Sequence, residues 1–348
     1  MTRISYRKIL AIESSCDETA AAIIVDGTNI ESSVIASSTL LHAKYGGIVP
    51  EVAAREQLDC IIPTIKEALE QANETYESID AIAVTHGPGL IGSLLVGVET
   101  AKTIALATKK PLIPVNHVLA HMYANFFQSE NISFPAISLV VSGGHTELYR
   151  MDSQTDIHWL GGTVDDAAGE AFDKTARLLG FENRGGPAIQ QAANEYHGQV
   201  VKEQIRLPRP MLDKNQLYNF SFSGLKTAIA REVTKRKSSN LFDADSIHWL
   251  AHEVQETITD VLVKKTLIAA QECTASSILL SGGVAANLRL REKFTEHLSR
   301  LSSQIILHVP PVSLCTDNAA YIGSYAYFRG NPIDWHDITA IPDLSVEV

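Results

Sequence analysis

The sequence predicts a duplicated α/β fold of two lobes with a cleft between them, on three observations. A chain of 348 residues is too long for one typical domain and about right for two. A glycine-pivoted turn occurs twice. Val141-Ser142-Gly143-Gly144-His145-Thr146 follows the apolar run 136–140, and Ser281-Gly282-Gly283-Val284-Ala285-Ala286-Asn287 follows Ile278-Leu279-Leu280. Each is a buried-strand pattern ending where only glycine lets the backbone come close to a ligand. Backbone N–H groups at such a turn form a pocket for phosphate without a cationic side chain, and two such turns suggest a nucleotide held between two halves. Finally, a strand–turn–strand pattern opens the chain at residues 8–25 and recurs at 136–149, as expected of a duplicated architecture.

The elements follow in order. A strand over 8–12 leads through Glu13-Ser14-Ser15-Cys16-Asp17-Glu18-Thr19 to a strand over 20–25. Residues 51–72 read as a helix and 81–84 as a buried strand. His86-Gly87-Pro88-Gly89 then breaks the chain before a helix over 91–108. A short strand over 111–115 and a helix over 117–127 follow. In the second half Thr163 is expected as an N-cap with Asp166 three positions on, a start resembling a capping box, and Gly180 as the stop of that helix. Residues 207–224, rich in Pro and aromatics, read as an irregular excursion. Helices over 246–271 and 317–328 follow, the second after a strand over 305–309, and an irregular tail ends the chain. The expected division is an N-terminal lobe 1–130, completed by 320–348, and a C-terminal lobe 131–319.

Hydrophobic content of 45% with 20% charged residues is ordinary for a globular protein. The most apolar helix, near 94–107, is interrupted by Glu99 and Lys102, so no membrane span is expected. Residues 1–15 offer only Ile9-Leu10-Ala11-Ile12 before Glu13, too short for a signal-peptide core. The four cysteines, Cys16, Cys60, Cys273 and Cys315, form no Cys-x-x-Cys pair. Neither a zinc knuckle nor a disulfide framework is implied, and a cytoplasmic, reducing location fits best. The formal charge of −11, from 29 basic and 40 acidic residues, argues against strong nucleic-acid binding by this chain alone. Lys226, Arg231, Lys235, Arg236 and Lys237 cluster locally, as do Arg206 and Arg209, and read as solvated helix faces.

Candidate chemistry begins with His117-Val118-Leu119-Ala120-His121, two imidazoles four apart on one helix face and able to share one divalent ion. A metalloprotease would need Glu directly after the first His as general base; Val118 stands there. His248-Trp249-Leu250-Ala251-His252 repeats the spacing but reads as ordinary positions on a long amphipathic helix. A third candidate ligand for the first pair is Asp317, in Cys315-Thr316-Asp317-Asn318, at a strand-end loop where α/β folds place ligands. Two His and one Asp would leave coordination positions open. The competing reading of Asp317 is a helix-start carboxylate satisfying free N–H groups. Asp166, Glu170 and Asp173 share one helix face, either as a solvated acidic stripe or with Asp173 taking a ribose hydroxyl. Gly185-Gly186-Pro187 opens another helix, whose exposed N–H groups could meet a ligand. Asn287 could read a base or ribose edge.

These motifs, with Asp165-Asp166-Ala167-Ala168-Gly169-Glu170-Ala171-Phe172-Asp173-Lys174, Phe220-Ser221-Phe222-Ser223-Gly224-Leu225-Lys226-Thr227 and Thr316-Asp317-Asn318, occur in the order seen in the TsaD family. From about residue 8 to 328 the chain resembles that family, its bacterial branch above all. The resemblance implies a tRNA N6-adenosine threonylcarbamoyltransferase, once labelled a sialoglycoprotein endopeptidase, with a two-lobed actin/Hsp70/sugar-kinase-like (duplicated RNase H-like) fold and an interlobe nucleotide cleft. It implies that His117, His121 and Asp317 bind one divalent metal ion, with iron the family's metal and zinc or magnesium the alternatives. Val140, Val141, Ser142, Gly143, Gly144, Asp173, Gly186 and Asn287 would hold threonylcarbamoyl-AMP. The family usually has an aromatic residue and Pro before Gly-Gly-Pro, where this chain has Asn183-Arg184. Candidates for a general base are Glu13, Asp17, Glu18 and His145. Implied partners are tRNA, a TsaB-like paralogue in a heterodimer and a TsaE-like ATPase.

Three other readings compete. An ATP-dependent small-molecule kinase on the same fold would need a catalytic Asp and Mg²⁺-bound nucleotide, and leaves the His117/His121 pair unexplained. A metalloprotease is weakened by Val118. A nucleotide-dependent scaffold would not need the intact candidate ligands.

Overall fold

A computed structural model describes residues 6–38, 41–42, 45, 47–128, 131–181, 185–198, 201–210, 217–300 and 304–346. The chain forms two compact units, Met1–Asn131 with Pro310–Val348, and Ile132–Val309. Each has its own five-stranded sheet.

In the first unit the strands are β1 (Lys8–Glu13), β2 (Glu18–Val25), β3 (Asn29–Ser37), β4 (Ala81–Gly87) and β5 (Leu112–Asn116). They lie in the order β3-β2-β1-β4-β5. β1 pairs antiparallel with β2 and parallel with β4, and β4 is parallel to β5. The central strands carry apolar runs, Ile9 to Ile12 in β1 and Ala81 to Val84 in β4, because both faces are covered there. Leu10, Ile12, Ile82 and Val84 share one cluster with Ile61, Ile65 and Ala68 of α1 (Pro50–Gln71) and Val98 and Ala101 of α2 (Ile91–Thr108). The alternate positions face the other way. Gly323 of α9 (Ala320–Arg329) lies so close to Ala11 and Ile24 that a Cβ on it would fall 2.5 Å from Ile24 Cγ1. Although α2 is long and apolar enough to cross a membrane, it carries Glu99 and Lys102 and packs on β4.

The second unit repeats the plan. Its strands β6 (Ala136–Val141), β7 (Thr146–Met151), β8 (Ile157–Gly162), β9 (Ser277–Ser281) and β10 (Ile306–His308) lie in the order β8-β7-β6-β9-β10. The pairing senses match: β6 is antiparallel to β7 and parallel to β9, and β9 is parallel to β10. The helices are α4 (Ala168–Leu179), α5 (Gly185–Asn194), α6 (Ser223–Ser238), α7 (Ala244–Glu272) and α8 (Leu288–Leu298). The duplication read from the two hairpins therefore extends to all five strands.

Several expectations need correction. The two Ser-Gly-Gly turns do not come from two halves. Both lie in the second unit, at the ends of neighbouring parallel strands where Val140 pairs with Ser281. Residues 310–319, expected in the second lobe, fall with the first unit, where they lead into α9. Residues 117–127 are α-helical only as α3 (His117–Ala120) and continue as a 3₁₀ segment, His121–Phe127. There Tyr123 stacks on Phe126 and on Phe328 of α9, and Phe126 meets Phe328 at a tilt. α4 begins at Ala168 and not at Thr163, whose hydroxyl donates to Asp166 O (2.7 Å) while Val164 pairs with Phe220. Asp166 thus precedes the helix it was expected to share with Glu170 and Asp173, and Lys174 pairs with both Asp166 and Glu170. Gly180 stops α4 as expected, in the left-handed region at φ 93°. Asn183 and Arg184 lie outside the described residues, as does part of the 207–224 excursion.

Gly282 joins the two turns. Its φ is 86°, and a Cβ on it would stand 2.3 Å from Val141 O. A side chain there needs both an unfavourable backbone conformation and a shift of β6. Gly282→Ala is expected to cost about 2 kcal/mol or more of unfolding free energy in a denaturant titration, whereas Gly283→Ala, where a Cβ would meet open space, should cost much less.

Candidate metal centre and ligand-binding turns

The first unit concentrates titratable groups at the end of β1. Glu13 is fully buried there. Its Oε1 accepts from the Ser15 backbone N–H (2.5 Å). Its Oε2 accepts from the Thr85 hydroxyl at the end of β4 (2.5 Å) and lies 3.0 Å from His117 Nδ1. Burial alone would push this carboxyl up, but His117 and the Ser15 and Thr85 donors hold it below its ordinary value.

His117 opens α3 directly after β5. Asn116 fixes that start, its Oδ1 accepting from Val118 N (3.0 Å) and Leu119 N (3.2 Å). One turn on, His121 brings its ring centroid within 4.7 Å of the His117 ring. Both Nε2 atoms lie 3.6 Å from Asp317 Oδ1. Asp317 precedes α9, and Asn318 caps that helix instead, its Oδ1 accepting from Ala320 N (3.0 Å) and Tyr321 N (3.4 Å). The reading of Asp317 as a helix-start carboxylate is therefore set aside. The carboxylate is aimed at the imidazoles, beside the Tyr321 hydroxyl at 3.5 Å.

Burial pulls the His117 imidazole down, yet Glu13 and Asp317 outweigh it and raise its pKa to about 9. Burial pushes Asp317 up to about 6, with Glu13 and Asp17 adding to the rise and His117 opposing it. Two carboxylates around an imidazole make a place that stabilises positive charge. The donor set, two imidazole nitrogens and one carboxylate oxygen within 4.8 Å of one another, suits a borderline divalent ion and leaves coordination positions open. With Glu13 on Nδ1, His117 presents Nε2 on the Asp317 side, the arrangement that orients a metal-ligating histidine. The residues fit a metal. A second group, Asp152 and Asp156 of the β7–β8 turn with His158 of β8, has Asp156 and His158 exposed.

Of the candidates for a general base, Glu13 is committed to these buried contacts. Glu18 accepts from Ser37 Oγ (2.8 Å), and Asp17 lies half-buried in the turn after β1. His145 sits in the second unit, its backbone N–H donating to Ser142 Oγ (3.2 Å). The Cys16 thiol is pushed up by burial and by Asp17 and Asp317, which suppresses a nucleophilic thiolate.

In the second unit the turn after β6 closes on itself, Ser142 N–H donating to His145 O (2.8 Å). Val140 and Val141 are buried, while Gly143 and Gly144 are exposed and a Cβ on either would meet open space. Gly169 N–H donates to Ser142 O (3.2 Å), so the start of α4 rests on this turn. One helical turn later Asp173 meets Gly185 at the start of α5, where a Cβ would fall 2.4 Å from Asp173 Oδ1. Burial raises the Asp173 pKa against the Gly185 N–H bond. Gly186 faces open space. Asn287 is nearly buried; its Oδ1 caps α8 through Leu290 N (3.0 Å) and its Nδ2 donates to Gln255 Oε1 (3.1 Å). The side chain expected to read a ligand edge is occupied with these two bonds. His248 and His252 lie on α7, and His252 packs against Tyr196. Ser15, Thr85 and Tyr321 were missed in sequence. Thr85 carried no local signal, since its role needs β4 beside β1, whereas Tyr321 stood one helical turn from Asp317.

The fold alone defines a class. The structure resembles T. kodakarensis HypF (TM-score 0.59, 12% identity, over 93% of this chain and 48% of that one). It also resembles Acidaminococcus fermentans (R)-2-hydroxyglutaryl-CoA dehydratase component A (TM-score 0.51, 15% identity, 92% and 97%). Both are consistent with a two-lobed α/β fold. Sequence narrows this: the chain belongs to the TsaD family, tRNA N6-adenosine threonylcarbamoyltransferase, whose model matches residues 29–324. Enzymes of that name from Dehalococcoides mccartyi and Moorella thermoacetica are 48% and 46% identical over 97% of this chain, covering 99% and 96% of their own lengths. The family is one of transferases that use a metal and act on tRNA, and nothing among these relatives supports a kinase, a scaffold or a protease.

Replacing Glu13 by Gln keeps the shape but removes the charge that orients His117. The expected outcome is a 10- to 100-fold weaker metal affinity by competition with a chromophoric chelator, with folding retained; an unchanged affinity would remove Glu13 from the site.

Proposed function

We propose that this chain transfers the threonylcarbamoyl group from threonylcarbamoyl-AMP to the N6 amine of the adenosine 3′ of the anticodon, in tRNAs reading codons that start with A. The observation that carries the reading is the near-full-length identity to enzymes of that name; the His117–His121–Asp317 constellation agrees with it. The amine nitrogen attacks the carbamoyl carbon, the bond from that carbon to the phosphate oxygen breaks, AMP leaves with the electron pair, and the amine gives up a proton.

His117, His121 and Asp317 would hold one divalent ion, iron by family resemblance. When bound, such an ion supplies Lewis acidity and a fixed point for a substrate oxygen. Glu13 keeps the His117 ring in register, with Ser15 and Thr85 keeping Glu13 in register. Val140 to Gly144 would offer backbone N–H groups to the adenylate, with Asp173, Gly186 and Asn287 around it, so that positioning does much of the work. Asp17, Glu18 and His145 stay as candidate bases, and Glu13 acts through His117.

A TsaB-like paralogue and a TsaE-like ATPase are the proposed protein partners. Support for a partner on the first unit comes from Leu58 and Ile62 of α1 and Ile91 and Leu95 of α2, between 44% and 63% exposed on helices that pack together. Exposed apolar groups gathered on one face mark interaction sites. The four free cysteines suit a reducing cytoplasm.

The test is a nucleoside mass-spectrometric assay with synthetic threonylcarbamoyl-AMP, unmodified tRNA and the partner proteins. Wild type is expected to form N6-threonylcarbamoyladenosine, and His117→Ala or Asp317→Ala to lose at least 100-fold in rate. AMP binding without product would overturn the transferase reading. In the same system Leu58→Glu/Ile62→Glu should weaken assembly with the paralogue at least tenfold by calorimetry, without changing AMP affinity.

A further inference from the structure

We infer that the exposed face of α6 is a docking strip for the phosphate backbone of RNA, the tRNA substrate; the inference rests on the transferase reading above. The basic cluster seen in sequence separates into two parts once folded. Arg236 is 2% exposed and serves the fold. It donates to Glu232 Oε1 (2.7 Å), Lys202 O (3.1 Å) and Glu203 O (2.8 Å), and stacks over Trp249. Lys226, Arg231, Lys235 and Lys237 are exposed. Lys226, Thr227, Ala230, Arg231, Thr234 and Lys235 line one open groove along the helix. The sole acid within α6, Glu232, is buried against Arg236. Among the described residues, one acid from outside the helix pairs with the strip, Glu203, 2.6 Å from Lys235.

The layout selects the ligand class. At 1.5 Å rise and about 100° per residue, Arg231 lies about 7.5 Å along the axis and about 140° around it from Lys226, and Lys235 about 6 Å and about 40° further on. A single phosphate is met by donors that converge, whereas cations spread along and around an exposed helix face match a repeating anion. In a chain of net charge −11, a local basic stripe supplies the attraction that the whole molecule lacks.

The strip also starts in a meaningful place. Asp165 fixes the beginning of α6, its Oδ1 accepting from Phe222 N (2.8 Å) and Ser223 N (3.2 Å) and its Oδ2 from Ser221 Oγ (2.5 Å) and Ser223 Oγ (2.7 Å). Asp165 stands shortly before α4, whose Gly169 rests on Ser142. The stripe therefore begins near the end of the second sheet that carries the exposed Gly143-Gly144 turn. An RNA whose reacting base enters there would have its flanking backbone within reach of α6.

The experiment is fluorescence anisotropy of labelled, unmodified tRNA titrated with the full-length protein between about 50 and 200 mM salt. The variant Lys226→Gln/Arg231→Gln/Lys235→Gln is compared with Arg7→Gln/Lys109→Gln/Arg300→Gln, which removes the same charge from exposed positions elsewhere. The strip variant is expected to bind at least tenfold more weakly at low salt and to lose about 2 to 3 from the slope of log K against log salt. AMP binding and melting temperature should stay unchanged, and the control variant should match wild type. Should the triple variant fail to fold, Lys226→Gln and Arg231→Gln are measured singly, each expected to lower the slope by about 1. Equal losses in both triple variants, or an unchanged slope in the strip variant, would overturn the inference. If wild type forms product and the strip variant has the same KM for tRNA, the strip alone is wrong. If wild type neither binds nor modifies tRNA, the transferase reading falls and the strip with it.

Discussion

The first unit is organised around a buried carboxylate. Glu13 sits at the last position of β1 with no solvent exposure, and an isolated carboxylate in that position would be prohibitively costly. It is tolerated because three chain segments supply partners: Ser15 from the following turn, Thr85 from the end of β4 and His117 from the start of α3. Those contacts require β1, β4 and β5 to be adjacent, parallel and in register. The sheet positions the carboxylate, the carboxylate orients the imidazole, and the imidazole faces Asp317. Removing one partner would leave a buried charge unsatisfied, which makes the local geometry stiff.

The two units share strand order and pairing sense but use the corresponding turns differently. From the last residue of β1 onward the chain carries Glu13, Ser15 and Asp17, and the unit gathers charge. After β6 it carries Ser142, Gly143 and Gly144, and the unit exposes bare backbone. The following parallel strand serves the same end in both. A Cβ on Gly89 would stand 2.5 Å from Ser15 O, and one on Gly282 would stand 2.3 Å from Val141 O. In each unit a glycine beyond the second parallel strand lets its backbone lie against the turn of the first. A single architectural device thus supports a corner that gathers charge in one unit and a turn of exposed backbone in the other.

Charge is distributed with similar economy. The chain is acidic, its acids pair with many of its exposed cations, and the strongest basic stripe lies on one helix whose own acid is withdrawn into the core with Arg236. A polyanionic substrate and an acidic enzyme are compatible when attraction is local and repulsion is spread over the remaining surface and screened by salt.

The sequence by itself determined the element types and the duplication. The 91–108 helix, the Gly180 stop and both hairpins depend on local periodicity and on the backbone freedom of glycine, which neighbours along the chain encode. It also brought out His117, His121 and Asp317, because two were spaced on one helix and the third stood in a recognisable motif. Tertiary structure decided what depends on pairing across the chain. Thr163 reads as a cap locally, yet its hydroxyl donates to Asp166 O and its backbone and its neighbour's are drawn into the strand-like pairing with Phe220. Asp317 reads equally well as a cap, and only folding shows that Asn318 does that work. The two Ser-Gly-Gly turns look like one per half until parallel pairing of β6 with β9 sets them side by side. Thr85 becomes a support for Glu13, and Arg236 a core residue amid surface cations, through contacts between residues far apart in sequence or through burial of one helix face, neither of which a local pattern specifies.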